Sequence, residues 1–189
     1  MTARLRRRAT AGISVSLAAA LLLLPLTGCH SGTDPTPENF IAGLNAYFAE
    51  HPDCLFPDPP SFPYETADAE KTRQMDALVT SKLLTVARAP KLHVSRYMLT
   101  DAGTRLAPRF CFGHRVVTGI DSSTPPTKGQ GYPSTHVAYH YTMQDVPVWA
   151  RTDQMRAAFP TMAHEIGGTS SATATLGATL QNWQVLTAD

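Results

Sequence analysis

Three cysteines and seven histidines hold most of the reactive side chains of this protein, and their spacing decides what each can do. His136 and His140 stand four apart, which on a helix lets two imidazoles share one metal ion. Their surroundings alternate like a strand, however, and four strand residues span roughly 13 Å, too far for one ion. They are expected to be solvent-facing strand histidines. His164-Glu165 opens like the helical zinc-protease motif, but Gly168 stands where the second histidine is required. Cys111-Phe112-Gly113-His114 lacks a second pair of ligands. Gly129-Gln130-Gly131 has no following helix to cradle phosphate, and Gly167-Gly168-Thr169-Ser170-Ser171 lacks the strand, elbow and helix of a nucleophilic serine, so both read as loops. These residues imply no metal, no cofactor and no convergent catalytic set.

Two further groups bear on function. Trp149 and Trp183, with Tyr139 and Tyr141, could line a groove for a glycan or peptide, although alternate strand positions make the core their default place. Asp145, His140 and His164 are the groups a cryptic hydrolase would use, and that reading requires at least two of them to converge within hydrogen-bond reach.

The elements that must position these residues follow from periodicity. Thr36 offers an N-cap with Pro37 at the first helical position, and Phe40, Ile41, Leu44, Tyr47 and Phe48 recur at helical spacing, predicting a helix over 37–50. Residues 52–63 contain five prolines and are expected to form no regular element, with Phe56 and Phe62 pinning the loop to the body. A second helix is expected from Ala67 or Asp68 to Ser81 or Lys82. Leu83 to Ala87 and Val94 to Leu99 read as strands about a tip at 88–91, with Thr100-Asp101-Ala102-Gly103 stopping the second. Phe110 to Ile120 reads as a strand and 121–133 as a loop. From Thr135 to Gln144, Val137, Tyr139, Tyr141 and Met143 share one face, predicting a half-buried strand. Asp153 is expected to cap a short helix through Phe159. Ser170 to Leu176 and Ala178 to Leu186 suggest closing strands, with either Gly177 as a bend or Asn182 as a turn between them.

The N-terminal stretch is of another kind. Arg4, Arg6, Arg7 and Arg8 precede an apolar run, Ala11 to Leu24, and Pro25 breaks it. The run is shorter than the roughly 20 residues needed to cross a bilayer. Leu26-Thr27-Gly28-Cys29 follows and resembles the lipobox of bacterial lipoproteins. The resemblance implies that residues 1–28 are a signal peptide and that Cys29 carries acyl chains. His30, where aspartate would signal inner-membrane retention, points to the outer membrane. Residues 29–36 read as a polar tether. Removing 1–28 takes four basic and no acidic side chains, leaving a formal charge of −3. That charge and an exported location argue against nucleic-acid partners. Cys54 and Cys111 then remain as an even pair in an oxidising compartment, where a disulfide is the expected state.

Two further resemblances concern the body. Leu78-Val79, Leu83-Leu84 and Tyr97-Met98-Leu99-Thr100-Asp101-Ala102-Gly103 make residues 75–103 similar to the second half of a winged-helix unit, here without a basic recognition helix. The order Cys111-Phe112-Gly113, a tyrosine-rich strand, Pro147-x-Trp149-Ala150-Arg151, Ala158-Phe159-Pro160 and Trp183 resembles a group of uncharacterised proteobacterial envelope lipoproteins, which supplies no catalytic residues. The expectation is one α+β domain over 37–189, with a helical and winged part (37–108) and a mainly β part (109–189) whose sheet is antiparallel. Its expected role is non-enzymatic binding or assembly at the periplasmic face of the outer membrane, held there by lipid, with an envelope protein or peptidoglycan as partner. The alternatives are the cryptic hydrolase and a lipid-tethered sensor, the latter requiring an exposed apolar groove between helix and wing.

Overall fold

A computed structural model describes residues 31–189 apart from 90, 92, 129 and 130. Cys29, the signal stretch and Gly129-Gln130 lie outside the described residues. The fold is α+β, with several helices and two antiparallel sheets.

Helix α1 (Pro37–Glu50) starts where the sequence predicts, with the Thr36 hydroxyl accepting from the Asn39 amide. Its apolar stripe, Phe40, Leu44 and Phe48, is buried against the large sheet. That sheet has the order β1 (Asp53–Cys54), β5 (Cys111–Ser123), β7 (Pro133–Gln144), β8 (Ser170–Ala178), β9 (Trp183–Ala188), with β6 (Thr127–Lys128) also pairing with β7. It curls toward a barrel, and α1 packs against both β5 and β9. Asn45 Oδ1 accepts the Val117 amide of β5 at 2.8 Å. On the other side α1 approaches β9 so closely that a Cβ on Gly43 would meet the Trp183 carbonyl oxygen at 2.4 Å. Only glycine fits there. The helix thus fills the seam between two strands that do not pair.

The small sheet has the order β2 (Tyr64–Thr66), β4 (Val94–Leu99), β3 (Leu84–Ala89), and α2 (Ala69–Thr80) packs on β3. The helix and hairpin form where predicted, but the tip does not begin at Arg88: β3 runs on through Arg88 and Ala89, which pair with Ser95 and Val94, and β2 is an addition, pairing with β4 in the register Tyr64↔Tyr97. Asp76 of α2 ties the helix to this sheet. Arg88 Nη2 donates to both Asp76 oxygens at 2.9 and 3.0 Å, and the Tyr97 hydroxyl donates to Oδ1 at 2.9 Å.

Several expectations need correction. The proline-rich stretch 52–63 contains β1, because Asp53 and Cys54 find partners in β5. Thr100 does not only end β4; its hydroxyl caps the short helix α3 (Asp101–Thr104). The 121–133 loop is shorter than predicted, since β5 runs on to Ser123 and β6 follows. Thr152, not Asp153, caps α4 (Asp153–Ala158), and α5 (Pro160–Glu165) comes next. Ser170 and Ser171 belong to β8, not to a loop. Asn182, not Gly177, lies at the last turn: the Thr179 hydroxyl accepts from the Asn182 amide at 3.0 Å. Residues 31–36 are docked on the body, as described below. The two apolar cores also cut across residue 108. One joins α1 to the large sheet; the other gathers α2, the small sheet, Phe110, Phe112, α4 and α5.

Candidate functional site

The Cys54–Cys111 disulfide is present and joins directly paired residues of β1 and β5. Its neighbours assemble the most unusual polar cluster in the molecule. Asp53 lies opposite Gly113 at a bulge in this pairing. Gly113 adopts φ +139, and a Cβ there would meet the Gln144 carbonyl oxygen at 2.5 Å, so the bulge depends on glycine.

Two residues further along β5, Arg115 turns its guanidinium onto Asp53. Nε lies 3.2 Å from Oδ2 and Nη2 lies 3.0 Å from Oδ1, the bidentate fork that suits arginine and carboxylate. Nη2 is also 3.9 Å from Glu165 Oε1 at the end of α5, and Nη1 donates to the backbone oxygen of Asp189. Arg115 and Asp53 side chains are only 12% and 18% exposed, so their pairing is what makes their burial tolerable. The guanidinium stacks against aromatic faces, 5.3 Å from the Phe48 ring centroid and 4.8 Å from that of Tyr141.

Electrostatics distinguish the two carboxyls. Burial, then the nearby Asp53 charge, pushes the Glu165 carboxyl above the ordinary range, and Arg115 only partly offsets this. Burial works to lower the Arg115 guanidinium, but the bonded Asp53 carries it upward overall. The Tyr139 and Tyr141 phenols are raised by burial against the pull of Arg115. The buried hydroxyls of Tyr139 and Ser170 have no hydrogen-bond partner among the described residues.

Asp53 and Glu165 line an open cleft of ≈ 350 Å³ together with Glu70, Gln74 and the buried Phe112 and Met162. Acidic groups and apolar side chains in one cleft suit a cationic group attached to an apolar stem. A carboxyl of raised pKa beside a salt-bridged one also has the character of a proton donor.

The structure does not bring the sequence-selected groups together. Tyr139, Tyr141 and Trp183 are buried in the core beneath α1, while Trp149 packs half-buried in the other core; they form no common groove, because β7 turns both tyrosines inward. His140 Nδ1 lies 2.8 Å from Asp121 Oδ1, whereas Asp145 faces His114 at 3.4 Å. Those are separate pairs at separate places along the sheet, and the Asp145, His140 and His164 set is not assembled. His136 is exposed and bonds to Thr175 across the strand at 2.9 Å. Between α2 and the wing lies a cavity of ≈ 480 Å³ with a mixed lining, Ala67, Ala69, Ala89 and Val94 alongside Thr72, Arg88, His93 and Ser95.

The grouping of Arg115, Asp53 and Glu165 escapes the sequence reading, which meets Glu165 only in the failed zinc motif. One signal could have found two of them: a Cys54–Cys111 bond makes neighbours of the residues beside each cysteine, and those include an acid at 53 and a base at 115. Family models, curated proteins and solved structures were compared with this chain, and none matches.

Proposed function

We propose that this protein is a lipid-anchored component of the bacterial cell envelope, acylated on Cys29 and displayed on the periplasmic face of the outer membrane in a non-enzymatic binding or assembly role. The observation that carries this reading is the order of Arg4 to Arg8, the apolar run Ala11 to Leu24 and Leu26-Thr27-Gly28-Cys29. The Cys54–Cys111 disulfide supports it, because such bonds persist in oxidising compartments.

The binding half of the proposal draws on where the cleft lies. Asp53 pairs beside the start of β5, which faces the end of β7 at His114↔Gln144. Residues 31–36 precede the 14-residue α1 and Asp53 follows it, so the length of the helix, roughly 21 Å, stands between them. A body held through Cys29 would direct the cleft away from the bilayer, toward an envelope protein or peptidoglycan bearing an amine. Labelled palmitate is expected to enter the wild-type chain and not Cys29→Ser, and in-cell crosslinking from the cleft rim is expected to name the neighbour. A mature chain whose mass shows no added hydrocarbon at residue 29 would overturn the proposal.

A second reading, an envelope hydrolase, is favoured by the raised Glu165 carboxyl beside Asp53. It predicts turnover of muropeptide or ester substrates that Glu165→Gln abolishes.

A further inference from the structure

We infer that the end of the large sheet next to Ser31 rests on the bilayer surface, with Leu180 and Tyr132 immersed among the lipid headgroups. This rests on the reading of Cys29 as the acylated residue and adds an orientation to it.

The first support is that the segment before α1 is not a loose tether. Asn39 Nδ2 donates to the backbone oxygens of Ser31 and Asp34, both at 2.9 Å, and the Ser31 hydroxyl donates to Asp34 Oδ1 at 3.0 Å. Trp183 Nε1 donates to the Asp34 carbonyl at 3.1 Å. Gly32 packs onto the turn between β8 and β9, where a Cβ would come 2.5 Å from the Gln181 carbonyl oxygen. Two peptide units separate Cys29 from Ser31, a reach of at most roughly 7 Å. The headgroup layer on each side of a bilayer is about as thick. Acyl chains on Cys29 therefore leave the turn at 179–182 no room to stand clear of the membrane.

The second support is independent of the anchor. Five large apolar side chains are prominently exposed among the described residues, and three of them, Tyr132 (63%), Leu180 (86%) and Leu186 (62%), lie at this end. The register Ser134↔Gly177 sets Tyr132 beside the β8–β9 turn, and Leu186 covers Gly177 on the outer face. The turn itself, Thr179-Leu180-Gln181-Asn182, contains no charge. An uncharged turn carrying an exposed leucine, with Tyr132 beside it, Lys128 opposite Pro133 and Asp34 docked nearby, has the mix of apolar, aromatic and flanking basic residues that settles at a membrane interface, where tyrosine keeps its ring in the apolar layer and its hydroxyl in water.

The test uses the full acylated chain on vesicles of phosphatidylethanolamine and phosphatidylglycerol doped with lipid brominated on its acyl chains. Leu180→Trp is compared with Val148→Trp, an equally exposed position beyond the far end of β7, after subtracting the emission of the unsubstituted chain. The expected result is flotation of both variants, with emission of Leu180→Trp shifted to the blue and quenched several-fold more than that of Val148→Trp. Flotation with equal quenching would overturn the orientation and leave the anchor standing. A blue shift without quenching would assign the rim to a protein contact and overturn it too. Failure of the unsubstituted chain to float would remove the anchor, and this inference with it.

Discussion

The indole N–H of Trp183 reaches the carbonyl oxygen of Asp34, 3.1 Å away and 149 residues earlier in the chain. The same indole meets Phe40 edge-on, with ring centroids 5.0 Å apart. One side chain of β9 thus secures both the buried face of α1 and the segment that leads into it. The bond is one of the contacts, with those of Asn39, that hold the chain before α1 to the body.

Replacing Trp183 by phenylalanine keeps much of the packing and deletes the donor. The loss of one hydrogen bond is expected to cost about 1 kcal/mol, with a further penalty for the smaller ring. Amide exchange of residues 31–36 should accelerate while the β7 and β8 amides stay protected. Unchanged exchange at 31–36 would show that the contacts of Asn39 suffice alone.

Removing the disulfide with Cys54→Ser and Cys111→Ser together opens a loop of 57 residues. In the chain-entropy picture this costs about 4 kcal/mol of stability, to be read from urea unfolding. Because Cys54 adjoins Asp53, the change is also expected to loosen the Asp53–Arg115 pair. A stability equal to wild type would mean that β1 holds its place without the bond.

Arg115→Met leaves Asp53 largely enclosed with no cation bonded to it, and breaking such a pair costs about 3–5 kcal/mol. Asp53→Asn on that background should restore part of the loss, because the stranded charge is gone. A double-mutant cycle by denaturant unfolding measures the coupling. Strictly additive losses would show that the two side chains stabilise the fold separately.

Glu165 makes a pH-dependent prediction. Its carboxyl titrates above the ordinary range in the fold, burial being the main cause. Such a group binds its proton more readily folded than unfolded, so its contribution favours the fold below the ordinary carboxylate range and is lost as pH rises through the raised value. Glu165→Gln is therefore expected to melt at a higher temperature than wild type at neutral pH, the two curves converging on acidification. A variant less stable at neutral pH would mean that attraction to Arg115 outweighs the cost of burial.

Much of the fold is legible because it is local. The alternation from Val137 to Tyr141 marks β7, Thr36-Pro37 marks the start of α1, and an even cysteine pair implies the Cys54–Cys111 bond. What the sequence conceals is pairing across distance. β2 and β1 are too short to announce themselves, and each exists only because a longer strand offers it hydrogen bonds. Arg115 and Asp53 stand 62 residues apart, and no periodicity relates them. Glu165 looks like part of a failed zinc motif until α5 carries it beside the guanidinium. The aromatic residues illustrate the converse. Their types suit a groove, but strand alternation already turns Tyr139 and Tyr141 toward the core.

The position of α1 between β5 and β9 bears on self-association. Two strand edges with unsatisfied amides and carbonyls are templates onto which a neighbouring molecule can add its own strand. By sealing that gap with a helix whose Asn45 takes up the Val117 amide, the chain protects itself against stacking into sheets with its own kind.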